Sequence, residues 1–105
     1  MKAIRIHMAE TGDELRMEEV PQPDPTADEV MIRTQAIGVN RADLGRRRTV
    51  SAGAQEPARI PGLDVAGVVA SVGAHVTHWQ PGDQVMALVR GAYYYSGNYA
   101  RVLVS

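Results

Sequence analysis

The chain has 105 residues, 45% of them apolar, and a formal net charge of −1 at pH 7. This length predicts a single domain over residues 1–105, and the near-neutral charge argues against nucleic-acid or membrane partners. The sequence contains no cysteine, which excludes disulfides, thiolate nucleophiles and cysteine-ligated zinc. With neither an apolar run near the length of a membrane span nor the apolar core of a signal peptide, we expect a cytoplasmic protein.

The first quarter of the chain predicts a β-hairpin and then a stiff connector. Apolar residues alternate over Ala3–Met8, as in a half-buried strand, and Thr11–Asp13 supplies turn residues. Apolar positions between Leu15 and Val20 predict the returning strand. Three prolines within residues 21–25 predict an extended connector, because proline cannot donate to a sheet or continue a helix.

The middle of the chain predicts one long strand and one short helix. Glu29–Asn40 is the longest strand candidate, and Gly38 within it permits a bulge or a close backbone approach. The side-chain carbonyl of Asn40 is a candidate cap for a helix over Arg41–Arg47. Arg48–Arg59 contains Ser, Gly, Gln and Pro and is interpreted as a long loop, whose length suggests a functional or mobile segment.

The last third predicts three more strands. Val65–Val72 is almost continuously apolar and predicts a central buried strand, and the turn at Pro81–Asp83 leads into a strand over Gln84–Val89. Tyr99–Val104 is the final strand candidate. His75 and His78 are expected in an exposed loop and Trp79 in the core. Short strands separated by turns predict a mainly β domain, a closed or partly open barrel with one or two short helices.

Four short blocks then occur in a fixed order: 38–43 (GVNRAD), 61–67 (PGLDVAG) continuing through 69–73 (VASVG), 82–85 (GDQV) and 97–100 (GNYA). Each block alone is weak, but the ordered set is specific and covers nearly the whole chain. Together they resemble the GroES-like N-terminal domain of medium-chain dehydrogenases/reductases, in particular the zinc-free quinone oxidoreductase and enoyl reductase branch. The resemblance implies a GroES-like, partly open β-barrel.

The resemblance also bears on zinc. In zinc-dependent members a cysteine occupies the position of Asn40, and a His-Glu pair occupies the positions of Leu63 and Asp64. Leucine cannot ligate a metal, and a single carboxylate is not a tetrahedral zinc site. The expectation is therefore that the chain holds neither catalytic nor structural zinc.

Three polar residues are the catalytic candidates: Asn40, Asp43 and Asp64. The resemblance places Asn40 in a cleft that faces nicotinamide and substrate, with Asp43 supporting the adjoining turn. A purely structural interpretation stays open, in which Asn40 caps a helix and Asp43 anchors a turn. Substrate-binding candidates are the remaining neighbours of these blocks and a tyrosine cluster: Leu44, Arg47, Leu63, Tyr93, Tyr94 and Tyr95.

Two of these clusters carry competing interpretations. Arg46–Arg48 either attracts an anionic group or is a solvated helix end whose cations complement the helix dipole. Tyr93–Tyr95 either lines a pocket for a conjugated, polyketide-like ligand or covers a sheet edge or subunit interface, as in a homodimer.

Residues 1–105 contain no Gly-x-Gly-x-x-Gly turn and no βαβ alternation, so no dinucleotide-binding Rossmann domain is expected within them. One hypothesis is that the chain is the substrate-side domain of a zinc-free oxidoreductase acting on a quinone or enone, with NADPH held by a cofactor domain elsewhere. The alternative is a free-standing, cofactor-independent enzyme that catalyses a redox-neutral cyclisation, cycloaddition, isomerisation or dehydration. A non-catalytic assembly module is a third hypothesis, weakened by the polar character of Thr49–Pro57.

Overall fold

The computed structural model describes residues 1–9, 12–43, 60–89 and 99–103. Within these ranges the chain forms strands and, over residues 41–43, a single helical turn. The expectation of a mainly β domain is confirmed, although the strands of the described ranges form two sheets and no closed barrel. The strands are β1 (Lys2–Ala9), β2 (Gly12–Glu19), β3 (Glu29–Ala36), β4 (Asp64–Val72), β5 (Gln84–Leu88) and β6 (Tyr99–Leu103).

The first two strands form the predicted hairpin. They pair antiparallel from Lys2↔Glu19 to Ala9↔Gly12, so β2 begins inside the segment that sequence patterning assigned to the turn. At the open end the amino group of Met1 donates to the carbonyl oxygen of Val20 at 2.6 Å. Buried Ala3 and Val20 pack with Ile60, which joins the hairpin to the chain just before β4. The proline-rich connector that follows is neither helix nor strand, as expected.

The other four strands form an antiparallel sheet in the order β5-β4-β3-β6. Its core contains Val30 and Ile32 from β3, Val65 from β4, and Val89 just beyond β5. Ile32 is 1% exposed. The predicted central position of the aliphatic strand β4 is confirmed, because β4 is paired with β3 on one side and with β5 on the other.

The turn between β4 and β5 matches its sequence signals. Gly82 adopts a positive φ of 100° and donates its N–H to the carbonyl oxygen of Val69 at 2.9 Å. His75 and His78 are exposed, as expected, and His75 Nδ1 lies 2.9 Å from Asp28 Oδ1 at the surface. The expected core position of Trp79 is wrong, because its side chain is 41% exposed. Val76 instead packs from this segment against the core.

The third strand ends earlier than sequence patterning predicts. β3 stops at Ala36 rather than Asn40, since the backbone N–H of Gly38 bonds to the Asp64 side chain instead of a neighbouring strand. The predicted close approach at Gly38 is confirmed: a Cβ there would lie 2.4 Å from Asp64 Oδ1. The chain therefore leaves the sheet at this point and forms one wall of a cleft.

Among the described residues, no helix is long and apolar enough to cross a lipid bilayer.

Candidate functional site

A cleft of about 480 Å³ opens where the end of β3 meets the start of β4 and the last three residues of β5. Its walls are mostly apolar, and Asp64 is the one charged residue among those that line it within the described ranges. An apolar cleft with few polar groups is the usual form of a small-molecule site. The lining residues are Ala36, Ile37, Gly38, Asp64, Val65, Ala66, Met86, Ala87 and Leu88.

The carboxylate of Asp64 joins two segments that are distant in sequence. Oδ1 accepts the backbone N–H of Gly38 at 2.6 Å, and Oδ2 accepts the side-chain Nδ2–H of Asn40 at 3.1 Å. Hydrogen bonds to an ionised group are stronger than neutral ones and fix its orientation. Asp64 therefore holds the segment that follows β3 against the first residue of β4.

A second set of bonds orders the start of the helical turn. Asp43 Oδ2 accepts the backbone N–H of Asn40 at 2.8 Å, while Asp43 N–H donates to the carbonyl oxygen of Asn40 at 3.0 Å. This is the half of a capping box in which the side chain inside the helix bonds back to the N-cap backbone. The sequence predicted a cap through the side-chain carbonyl of Asn40, and the other end of that amide, Nδ2, donates to Asp64. Asp43 Oδ1 is buried and has no hydrogen-bond partner.

The structure thus brings together the three residues predicted from sequence as catalytic candidates. Asn40 bonds directly to both Asp43 and Asp64, although of the three only Asp64 lines the cleft. Leu63 precedes Asp64 and accepts the backbone N–H of Val89 at 2.7 Å through its carbonyl oxygen, outside the cleft lining. The other predicted contacts lie outside the described residues: Leu44, Arg47, Tyr93, Tyr94 and Tyr95, with the rest of the Arg46–Arg48 cluster.

Sequence reasoning missed the apolar side of the cleft. Ile37, Met86 and Leu88 line it with side chains that are 47%, 88% and 60% exposed. A signal was present in β5, where Met86 and Leu88 alternate with the apolar residues Val85 and Ala87. When both faces of a strand carry apolar residues, neither face is expected to be fully solvent-exposed.

No group of three or more histidine, aspartate or glutamate residues lies close enough to hold a metal ion in the described part of the chain. The position that would ligate through cysteine in zinc-dependent relatives is Asn40, whose amide is hydrogen bonded to Asp64. Of Asn40, Leu63 and Asp64, only Asp64 carries a group of the kinds that tetrahedral zinc takes, which are thiolate, imidazole and carboxylate.

The model of the alcohol dehydrogenase GroES-like domain family matches residues 26–102, which include β3 to β5, most of β6 and the whole cleft lining. The chain belongs to this family. Among similar GroES-like proteins, an alcohol dehydrogenase of Moraxella sp. (strain TAE123) is 39% identical over 85 residues, covering 81% of this chain and 25% of that protein. A quinone oxidoreductase of Lama guanicoe is 34% identical over 96 residues, covering 89% of this chain and 29% of that protein.

A solved structure gives the same fold. The crystal structure of Escherichia coli quinone oxidoreductase complexed with NADPH matches this GroES-like chain with a TM-score of 0.73 and 28% identity. The match covers 96% of this chain and 31% of the other. The chain thus spans about a quarter to a third of the length of these relatives.

Proposed function

We propose that this chain forms the substrate-side domain of a zinc-free, NADPH-dependent oxidoreductase that acts on a quinone or an enone. The observation that carries the proposal is the cleft beside Asp64, where an apolar wall meets a hydrogen-bonded network of Asn40, Asp43 and Asp64. Relatives named quinone oxidoreductase, one of them solved with NADPH, support this choice of chemistry.

The proposed reaction needs NADPH, and its phosphates need a binding site. Residues 1–105 contain no glycine-rich turn for the phosphates of a dinucleotide. We therefore propose that a cofactor domain elsewhere holds NADPH, which supplies the hydride when bound. The residues of this chain would bind and orient the substrate: Ile37, Met86 and Leu88 cover its apolar body, and the network around Asp64 holds in place the cleft wall against which it lies.

The zinc-free part of the proposal depends on donor chemistry. At the three positions where zinc-dependent members carry Cys, His and Glu, this chain has Asn40, Leu63 and Asp64. Only the last is a good zinc ligand, and both of its oxygens already accept N–H groups. A carbonyl substrate would then be polarised by hydrogen-bond donors, such as the phenols of Tyr93–Tyr95, rather than by a metal ion.

Leu44, Arg47, Leu63 and the cluster Tyr93–Tyr95 remain proposed substrate contacts. The tyrosines would add flat apolar surface and phenol donors to the cleft, which suits an aromatic quinone or a polyketide-like enone.

The test compares two polypeptides: residues 1–105 alone, and the full product encoded by the native gene. We expect calorimetry to show no saturable NADPH binding to the first. The second should oxidise NADPH in the presence of a 1,4-quinone or an α,β-unsaturated ketone, with undiminished rate after treatment with EDTA. Tight NADPH binding by residues 1–105 would contradict the proposal, as would a full product that oxidises no NADPH with either class.

A matched pair of variants ties the activity to the network. In the full product, Asn40→Ala should lower kcat/KM about tenfold, as expected for the loss of a hydrogen bond to a charged group. Asp28→Asn is the control, because Asp28 is exposed at the surface beside His75 and outside the cleft lining. Conversion of a substrate by cyclisation, cycloaddition, isomerisation or dehydration, without any nucleotide, would instead favour the alternative of a cofactor-independent enzyme.

A further inference from the structure

The cleft lining has a chemical asymmetry that points to a particular kind of ligand. Within the described ranges its walls consist of aliphatic side chains, a methionine, a glycine and one acid, Asp64. An ionised carboxylate accepts hydrogen bonds and cannot donate them. A ligand that enters this cleft therefore meets apolar surface and a single, negatively charged acceptor.

The acceptor is held in place before any ligand arrives. Each oxygen of Asp64 receives one N–H from the protein, from Gly38 and from Asn40. A carboxylate offers about four acceptor positions in all, so two remain for a ligand. Close packing also restricts the position of this carboxylate. The backbone of Gly38 lies so near it that a Cβ at position 38 would be 2.4 Å from Asp64 Oδ1 and 2.6 Å from Oδ2.

We propose that Asp64 is a specificity-determining residue that selects ligands with a hydroxyl donor on an apolar body. The proposal rests on the proposed function, in which the reduced member of a quinone–hydroquinone pair is the one that brings the O–H group. An ether of the same shape leaves the two remaining acceptor positions of Asp64 unfilled, and a carboxylate ligand places two negative charges together. Leaving a buried or half-buried polar group unpaired is what makes such selection strong.

The test uses three small probes with one body: 4-ethylphenol, its methyl ether 4-ethylanisole, and 4-ethylbenzoate. Binding to the chain is followed through the backbone amide signals of Gly38 and Leu88 in two-dimensional NMR titrations. We expect 4-ethylphenol to bind about tenfold more tightly than the ether, as a hydrogen bond to a charged acceptor allows. The benzoate should shift neither signal. Equal affinity for phenol and ether would overturn the proposal, as would tighter binding of the benzoate.

Substitutions then assign the preference to one side chain. Asp64→Asn removes the charge and should reduce the preference for phenol over ether to about threefold or less. Asp28→Asn makes the same chemical change at an exposed residue outside the cleft lining and should leave the preference intact. An unaltered preference in Asp64→Asn would also overturn the proposal. If that variant does not fold, the comparison of the three probes on the unsubstituted chain still decides.

Failure here is distinguishable from failure of the proposed function. The titrations need no NADPH and no turnover, so they report on the cleft alone. A full gene product that oxidises NADPH with a quinone but binds phenol and ether equally would retain the function and lose this inference.

Discussion

Gly38 donates its backbone N–H to Asp64 Oδ1 at 2.6 Å across 26 positions of sequence. The contact is so close that any side chain at Gly38 would collide with the carboxylate. The pair therefore links the end of β3 to the start of β4 and forms the polar wall of the cleft.

The first prediction concerns this pair. Gly38→Ala should lower the free energy of unfolding by about 1–3 kcal/mol, because the new Cβ must displace the carboxylate or the backbone that carries it. Urea denaturation with an unchanged m-value measures the effect.

The control for that substitution is the same change in an Asp64→Ala background. Once the carboxylate is gone, the added methyl group has room, so Gly38→Ala should cost clearly less there. A double-mutant cycle measures the difference. Equal costs in both backgrounds would show that the two residues are not coupled.

The second prediction concerns the approach of β4 to β3. A Cβ at Gly67 would lie 2.2 Å from the backbone carbonyl oxygen of Arg33, an atom that cannot rotate away. Gly67→Ala should therefore destabilise at least as much as Gly38→Ala, by about 3 kcal/mol. Thermal and urea unfolding both report it. Ala70→Ser, at an exposed position of the same strand, should stay within about 0.5 kcal/mol of the unsubstituted chain. A neutral Gly67→Ala would contradict the register of β3 and β4.

The third prediction separates ligand binding from stability. Met86 is 88% exposed yet lines the cleft, so Met86→Gln should leave the free energy of unfolding within about 0.5 kcal/mol. Binding of 4-ethylphenol should weaken about fourfold, the equivalent of roughly one buried methylene group. Met17→Gln is the matched control, since Met17 is 69% exposed on the hairpin and outside the cleft lining. Identical affinities in the two variants would place the ligand elsewhere.

The fourth prediction concerns the pH response of the hairpin surface. Arg16 Nη2 donates to Glu14 Oε2 at 2.7 Å, and this hydrogen bond, helped by the positive charge, holds the pKa of Glu14 below its ordinary value. Because the pKa of Glu14 is lower in the folded state than in the unfolded state, the ion pair with Arg16 stabilises the folded state above the unfolded-state pKa. This stabilisation is lost as pH falls through the folded-state pKa. Both side chains are exposed, so the titration rather than stability is the sensitive readout.

NMR titration of the Glu14 carboxyl carbon tests that direction. Arg16→Gln should raise the pKa of Glu14 toward its ordinary value, while Arg16→Lys should retain part of the depression because the charge is kept. A Glu14 titration that is the same in all three proteins would contradict the ion pair.

Local patterning predicted most of the strands but not their limits. The alternation in β1 and the aliphatic run of β4 predicted their positions because those signals arise from neighbours in sequence. The predicted end of β3 was four residues too late. Ile37 and Val39 continue the apolar pattern of the strand, but both side chains are exposed and lie beyond the sheet. Trp79 was expected in the core, whereas its side chain is 41% exposed and Val76 packs against the core from the same segment.

The sequence by itself determined the mainly β class, the turn at Gly82 and the residue types that could carry chemistry, because each depends on backbone preference or on side-chain identity. Only the tertiary structure decided that Asp64 accepts from both Gly38 and Asn40, and that Met86 and Leu88 complete the cleft opposite them. Those contacts join segments more than twenty residues apart, and no local pattern encodes which side chains meet when three strands pack together. The physical reason is that burial of one face of β3, β4 and β5 sets the register in which these strands pair. That register then determines which residues meet at the cleft.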